Sequence, residues 1–146
     1  MAKGSSSYSD FNALMSQLDK NQIAPIYLLH GEEYHFLEKL IEKIEQVVLD
    51  ESTKSFNHHV FYGKDTEVSD VINVSRRFPM MAEKQLVVVK EAQYCRKPEL
   101  LESYLENPVQ STVLVWYHPE KKLAMNRKPG TTFKKYGQIF ASDPVD

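Results

Sequence analysis

A glycine set between an apolar run and an amphipathic helix is a common place for a chain to bind phosphate, and Gly31 stands at such a place. Residues 25–30 read as a short, continuously apolar strand, and Leu37, Leu40, Ile41, Ile44 and Val47 form one stripe of the helix that follows. A working phosphate loop has the pattern G-x-x-x-x-G-K-[ST]: its amides cradle the phosphates while the Lys and the hydroxyl hold the terminal phosphate and magnesium. Gly31-Glu32-Glu33-Tyr34-His35-Phe36-Leu37 supplies one glycine, two carboxylates and no Lys-Ser/Thr pair. Glu32 and Glu33 would favour the helix dipole themselves and repel a triphosphate. The apolar residues 86–89 lead into Lys90-Glu91, where a nucleotide hydrolase would place a magnesium-binding Asp. Lys90 is a cation and cannot ligate magnesium. Both defects point the same way, to a nucleotidase-like scaffold in which Gly31 marks a degenerate phosphate-loop position and Lys90 a degenerate magnesium position. No cofactor is implied.

Other reactive types give less. His58 and His59 are neighbours in an expected strand, so their rings point to opposite faces and cannot share a metal. His30, His35 and His118 show no metal-ligand spacing, and no metal site is expected. No Ser-His-Asp or Cys-His arrangement follows from sequence order. The single cysteine, Cys95, excludes an internal disulfide and reads as a free thiol in a reducing compartment. Arg76-Arg77, Lys121-Lys122 and Arg127-Lys128 are local basic clusters for which solvated surface is the default reading. The net charge of −2 argues against a dedicated nucleic-acid binder. No run approaches the roughly 18 apolar residues of a membrane span, and the opening residues lack the apolar middle of a signal peptide. A soluble, cytoplasmic protein with no membrane partner is expected.

The elements that must position these residues follow from apolar spacing. At 146 residues the chain fits one domain with a single sizeable core. Residues 1–7 read as a disordered Gly/Ser extension, and a short helix carries Phe11, Leu14, Met15 and Leu18 at helical spacing. A second strand is expected over residues 57–62, centred on Val60 and Phe61, and a helix capped by Asp65 or Thr66 turns Val68, Val71 and Ile72 inward. Residues 86–89 form the third strand. Pro98 opens a helix with Leu101, Tyr104 and Leu105, stopped at Asn107-Pro108, and residues 112–116 form the fourth strand. After a weakly patterned stretch from 121 to 136, residues 138–141 form a fifth. Strands that alternate with helices and are apolar on both faces predict an α/β fold: a mostly parallel five-stranded sheet with helices on both faces. Residues 142–146 have the composition of a linker.

One connection breaks the pattern. Arg76-Arg77-Phe78-Pro79-Met80-Met81-Ala82-Glu83-Lys84-Gln85 joins a helix to a strand and carries apolar residues where a solvated turn belongs. Either it folds back as core or it is held out for a partner. Phe78 is expected in the core. Adjacent residues on a helix lie about 100° apart, so at least one of Met80 and Met81 is expected outside. Methionine is flexible and polarisable, suited to filling a partner's apolar pocket.

The runs at 25–33, 78–92 and 112–116 together resemble the N-terminal domain of the bacterial DNA polymerase III delta subunit, a clamp-loader family, over roughly residues 8–141. The resemblance implies an AAA+-type α/β domain of the P-loop NTPase kind with a degenerate nucleotide site, and no catalysis in this domain, although the parent holoenzyme is a DNA-directed DNA polymerase, a nucleotidyltransferase. In that family two adjacent large apolar residues after a helix insert into a pocket of the ring-shaped sliding clamp (the beta subunit) and help open it for loading onto DNA. By position these are Met80 and Met81, flanked by Phe78, Pro79 and Lys84, where the family's Leu-Phe has become Met-Met and its Arg has become Lys. The family pattern Lys-Leu-Asp-x-Arg is partly met by Lys122-Leu123-Ala124-Met125-Asn126-Arg127. Residues 142–146 would begin a linker to lid and collar domains, through which the gamma/tau and delta-prime subunits are met, so that DNA is engaged indirectly. Two other readings stay open: an active P-loop-type ATPase or kinase with an aberrant loop, and a DNA-binding module.

Overall fold

The computed structural model describes the backbone of residues 3–142 and the side chains of residues 9–142. Five strands form one sheet: β1 (Ile26–Gly31), β2 (His58–Tyr62), β3 (Gln85–Lys90), β4 (Thr112–Pro119) and β5 (Gln138–Ser142), in the order β2-β3-β4-β1-β5. Every pairing is parallel, a more uniform sheet than expected. Six α-helices cover it: α1 (Lys3–Asp19), α2 (Tyr34–Val48), α3 (Lys54–Asn57), α4 (Val68–Ser75), α5 (Glu102–Glu106) and α6 (Gly130–Tyr136).

Period-two alternation sends each strand's side chains into two cores. Tyr27, Leu29, Leu86, Val88, Val113 and Val115 meet α1 and α2 on one face. Ile26, Leu28, Val87, Val89, Leu114 and Trp116 meet α4, α5 and α6 on the other. Phe11 of α1, Phe36 of α2 and Phe140 of β5 lie with ring centroids 4.7–6.3 Å apart, which ties the first helix to the last strand. Such pairs contribute about 0.5–1.5 kcal/mol each beyond the area they bury. Trp116 is fully buried beside Phe133, the apolar residue that seats α6 under the sheet.

Several boundaries differ from expectation. Helix α1 starts at Lys3, ahead of the residue-8 boundary, while Met1 and Ala2 of the extension lie outside the described residues. Ser142, placed in the linker, is the fully buried last residue of β5; residues 143–146 lie outside the described residues. Val48 rather than Val47 closes the buried stripe of α2. Residues 63–65 form a 3-10 turn and the cap position of α4 falls to Glu67, with no side-chain cap bond from Asp65 or Thr66. Strand β2 lies at the sheet edge, and Val60 is exposed there. No helix among the described residues is long and apolar enough to cross a membrane.

Candidate functional site

The chain leaves α4 at Arg76 and enters β3 at Gln85, and the turn between them is held at both ends by buried polar side chains. Gln85 Nε2 lies 3.0 Å from the Val74 carbonyl oxygen, 2.8 Å from that of Arg77 and 2.9 Å from Thr112 Oγ1. Thr112 Oγ1 in turn donates to the Ser75 carbonyl at 2.6 Å. The last carbonyls of α4 are thereby satisfied from the sheet rather than by solvent. Midway, Asn57 brackets Met80: its Oδ1 accepts from the Met80 N–H and its Nδ2 donates to the Met80 carbonyl, both at 2.8 Å. Asn57 is buried, so these bonds are shielded from water.

What this frame presents is apolar. Phe78 is 82% exposed, Met80 59% and Met81 85%. Phe78 is therefore not in the core, contrary to expectation. Its physical reason is Gln85, whose side chain reaches up to the end of α4 and leaves polar groups, not an apolar socket, beneath the turn. Both methionines are outside because the segment is a turn rather than a helix. Met81 has φ +58°, a left-handed backbone that costs a residue with a Cβ about 1–2 kcal/mol. Pro79 is half-buried between Phe78 and Met80. Lys84 is half-buried too, and its Nζ donates to the Gln110 carbonyl at 3.2 Å, bracing the turn against the loop before β4. Met81, Ala82, Glu83 and Lys84 also form one wall of a shallow cavity of about 460 Å³, faced by Ile23, Val47 and Val48.

At the opposite end of the sheet, Gly31 closes β1 with φ +123°, and a methyl group there would stand 2.1 Å from the Ser142 carbonyl oxygen. Only glycine fits. The start of α2 is filled from within: Glu33 Oε1 accepts from the His35 N–H at 3.0 Å, and the Glu33 N–H donates to Ser142 Oγ at 3.0 Å. A carboxylate of the chain thus takes the position an anionic ligand would need. Lys90 ends β3 two strands away, separated from β1 by β4. Beside it Glu91 adopts φ +52°, and Gln93 and Tyr94 bond to Glu120 at 3.1 and 3.4 Å. Tyr117 donates to Glu38 at 2.5 Å, and burial followed by that bond pushes its phenol far above the usual range. Gly31 and Lys90 therefore share an edge, while the apolar turn stands at the other edge, a strand length of about 20 Å away.

The histidines are dispersed. His58 faces Glu45 of α2 at 3.4 Å, while His59 lies on the other face by Gln85 and Arg77, so the two rings are parted as their spacing requires. His30 Nδ1 accepts from the Leu123 N–H at 3.0 Å, and His118 Nδ1 is 2.8 Å from the Lys121 carbonyl. Among the described residues no three His, Cys, Asp or Glu side chains gather as metal ligands would. Cys95 is buried, and burial raises its thiol above the usual range, an inert arrangement.

The sequence model of the family described as DNA polymerase III, delta subunit, matches residues 27–141. DNA polymerase III subunit delta of Bacillus subtilis (strain 168) is 33% identical over an alignment of 129 residues, covering 82% of this chain and 37% of that protein. The solved Bacillus subtilis DNA clamp loader delta protein aligns with a TM-score of 0.86 and 29% identity, covering 93% of this chain and 43% of that one. The Thermotoga maritima RuvB Holliday junction branch migration motor, at 18% identity and a TM-score of 0.56, shares the fold over 97% of this chain and 46% of its own. The chain thus spans about two-fifths of the length of the delta relatives it matches.

Proposed function

The chain belongs to the DNA polymerase III delta subunit family, and from that membership we propose that it is a non-catalytic clamp-loader domain that binds the sliding clamp through Met80 and Met81. One observation carries the reading: three large apolar side chains stand exposed on a turn whose backbone a buried asparagine fixes on both sides of Met80. An apolar turn free to collapse would fold onto the sheet. This one is braced outward at the moderate cost of a left-handed Met81. Burying a methionine side chain supplies about 1.5–3 kcal/mol, and a turn already ordered loses little entropy on docking.

The action is mechanical. Binding favours a clamp protomer shape that no longer closes its ring, so the ring opens by population shift and ATP is spent by other loader subunits. Those subunits, gamma/tau and delta-prime, are met through the lid and collar domains that family membership implies. The Glu33 carboxylate at the start of α2 supports the absence of nucleotide chemistry here.

Calorimetric titration with the cognate sliding clamp tests the reading. Met80→Ala combined with Met81→Ala is expected to weaken binding by about 2 kcal/mol or more, roughly thirtyfold, with an unchanged far-ultraviolet spectrum. A folded double variant that binds as tightly as the parent would remove this turn from the interface.

A further inference from the structure

Met80 and Met81 stand exposed side by side on the turn between α4 and β3. Two other methionines are sheltered: Met15 packs against the core that α1 and α2 cover, and Met125 against the core on the opposite face. The exposed pair has no such shelter to retreat into. Asn57 holds the Met80 backbone through both its N–H and its carbonyl, and Gln85 occupies the space beneath the turn. Lys84 ties the far end of the turn to the Gln110 carbonyl. Two adjacent thioethers are therefore held in water by the free chain.

We infer that Met80 and Met81 form a reversible oxidation site, at which peroxide converts both thioethers to sulfoxides and switches clamp binding off. The inference rests on the clamp-binding reading above and names a regulation of that same turn. The sulfur lone pair attacks one oxygen of hydrogen peroxide, the O–O bond breaks as the S–O bond forms, and the departing hydroxide takes the remaining proton and leaves as water. Sulfur loses two electrons and the peroxide gains them. A flexible apolar side chain thereby becomes a polar one. The sulfoxide oxygen is a hydrogen-bond acceptor, and burying it in an apolar pocket without a donor costs more than merely losing the thioether's contacts. In the free chain the same oxygen faces water, so the fold bears none of that cost. Docking and oxidation exclude each other: a methionine seated in a partner's pocket is closed to peroxide, and an oxidised one no longer seats. The property comes from the residue types, since two hydrocarbon side chains at these positions would carry no sulfur to oxidise.

The test treats the 146-residue chain with dilute hydrogen peroxide, follows each methionine by peptide mass spectrometry and titrates the product against the cognate sliding clamp by calorimetry. Met80 and Met81 are expected to gain one oxygen each before Met15 and Met125 do, and more slowly when the clamp is present in excess. The oxidised chain should bind the clamp roughly thirtyfold more weakly or worse, with an unchanged far-ultraviolet spectrum. Both methionine sulfoxide reductases, one for each sulfoxide epimer, should restore binding with a dithiol as reductant, which leaves as a disulfide with release of water. Met15→Leu with Met125→Leu should respond to peroxide as the parent does, whereas Met80→Leu with Met81→Leu should show one affinity before and after treatment. Oxidation no faster at Met80 and Met81 than at Met15 and Met125, or parent-like clamp affinity in a chain oxidised at both, would overturn the switch and leave the clamp reading standing. An unoxidised parent that does not bind the clamp would overturn both.

Discussion

Asn57 does for Met80 what a neighbouring strand would do, supplying one acceptor and one donor to a backbone that has no sheet partner. Replacing it by leucine keeps the volume and removes both bonds, leaving the Met80 N–H and carbonyl unpaired beside the protein interior. Each such group costs about 1–3 kcal/mol, so Asn57→Leu should lower the unfolding free energy by about 2–4 kcal/mol in a urea titration. It should also weaken clamp binding at temperatures where the variant is fully folded, because the methionines then dock from a loosened turn. Unchanged clamp affinity in a folded Asn57→Leu chain would show that the bracket serves stability alone. The methionine pair is legible in the sequence because two adjacent large apolar residues stand out in a connection. Asn57 is not, since its partner lies 23 positions away and a side-chain-to-backbone bond leaves no pattern. Phe78 misleads for a related reason: apolar type implies burial only where a socket exists, and Gln85 occupies that space.

At the scale of elements, strands β1, β3 and β4 are readable because parallel strands covered on both faces need apolar side chains at every position. Strand β2 is less so, being an edge with exposed Val60 and Tyr62, and α6 is too short for a helical period to emerge. The loop from β4 to α6 depends instead on His118, the penultimate residue of β4. Burial lowers its pKa, as burial, then Arg77 and His58, lowers that of His59. A depressed folded-state value means that the unfolded chain binds more protons, so stability is fully present above the unfolded value near 6.5 and declines as pH falls below it. The melting temperature should therefore drop between pH 7.5 and 5.5. His118→Asn, which keeps a side-chain donor near the Lys121 carbonyl but cannot titrate, should make that drop smaller. An identical drop in parent and variant would exclude His118 as a contributor.

For the molecule as a whole, one sheet separates two ends with opposite fates. In open α/β sheets ligands bind outside the carboxyl ends of the strands, where neighbouring connections diverge, and here that point lies beside β1, between β4 and β5. The space is taken by Ser142 against Gly31 and by Glu33 over the first amides of α2. A triphosphate would have to displace a carboxylate from a helix start and would find no Lys-Ser/Thr pair to receive it. Titration of the chain with ATP and magnesium is therefore expected to give no binding heat at micromolar concentrations. Glu33→Gln should not create a site, because Ser142 would still fill the space beside Gly31 while the helix merely loses a charge worth about 0.3–1 kcal/mol. Micromolar ATP binding by the parent chain would mean that these residues rearrange around a nucleotide, and it would favour the active-ATPase reading over the non-catalytic one. The apolar turn at the amino end of β3 is insulated from that outcome, since no residue it uses is shared with the Gly31 end.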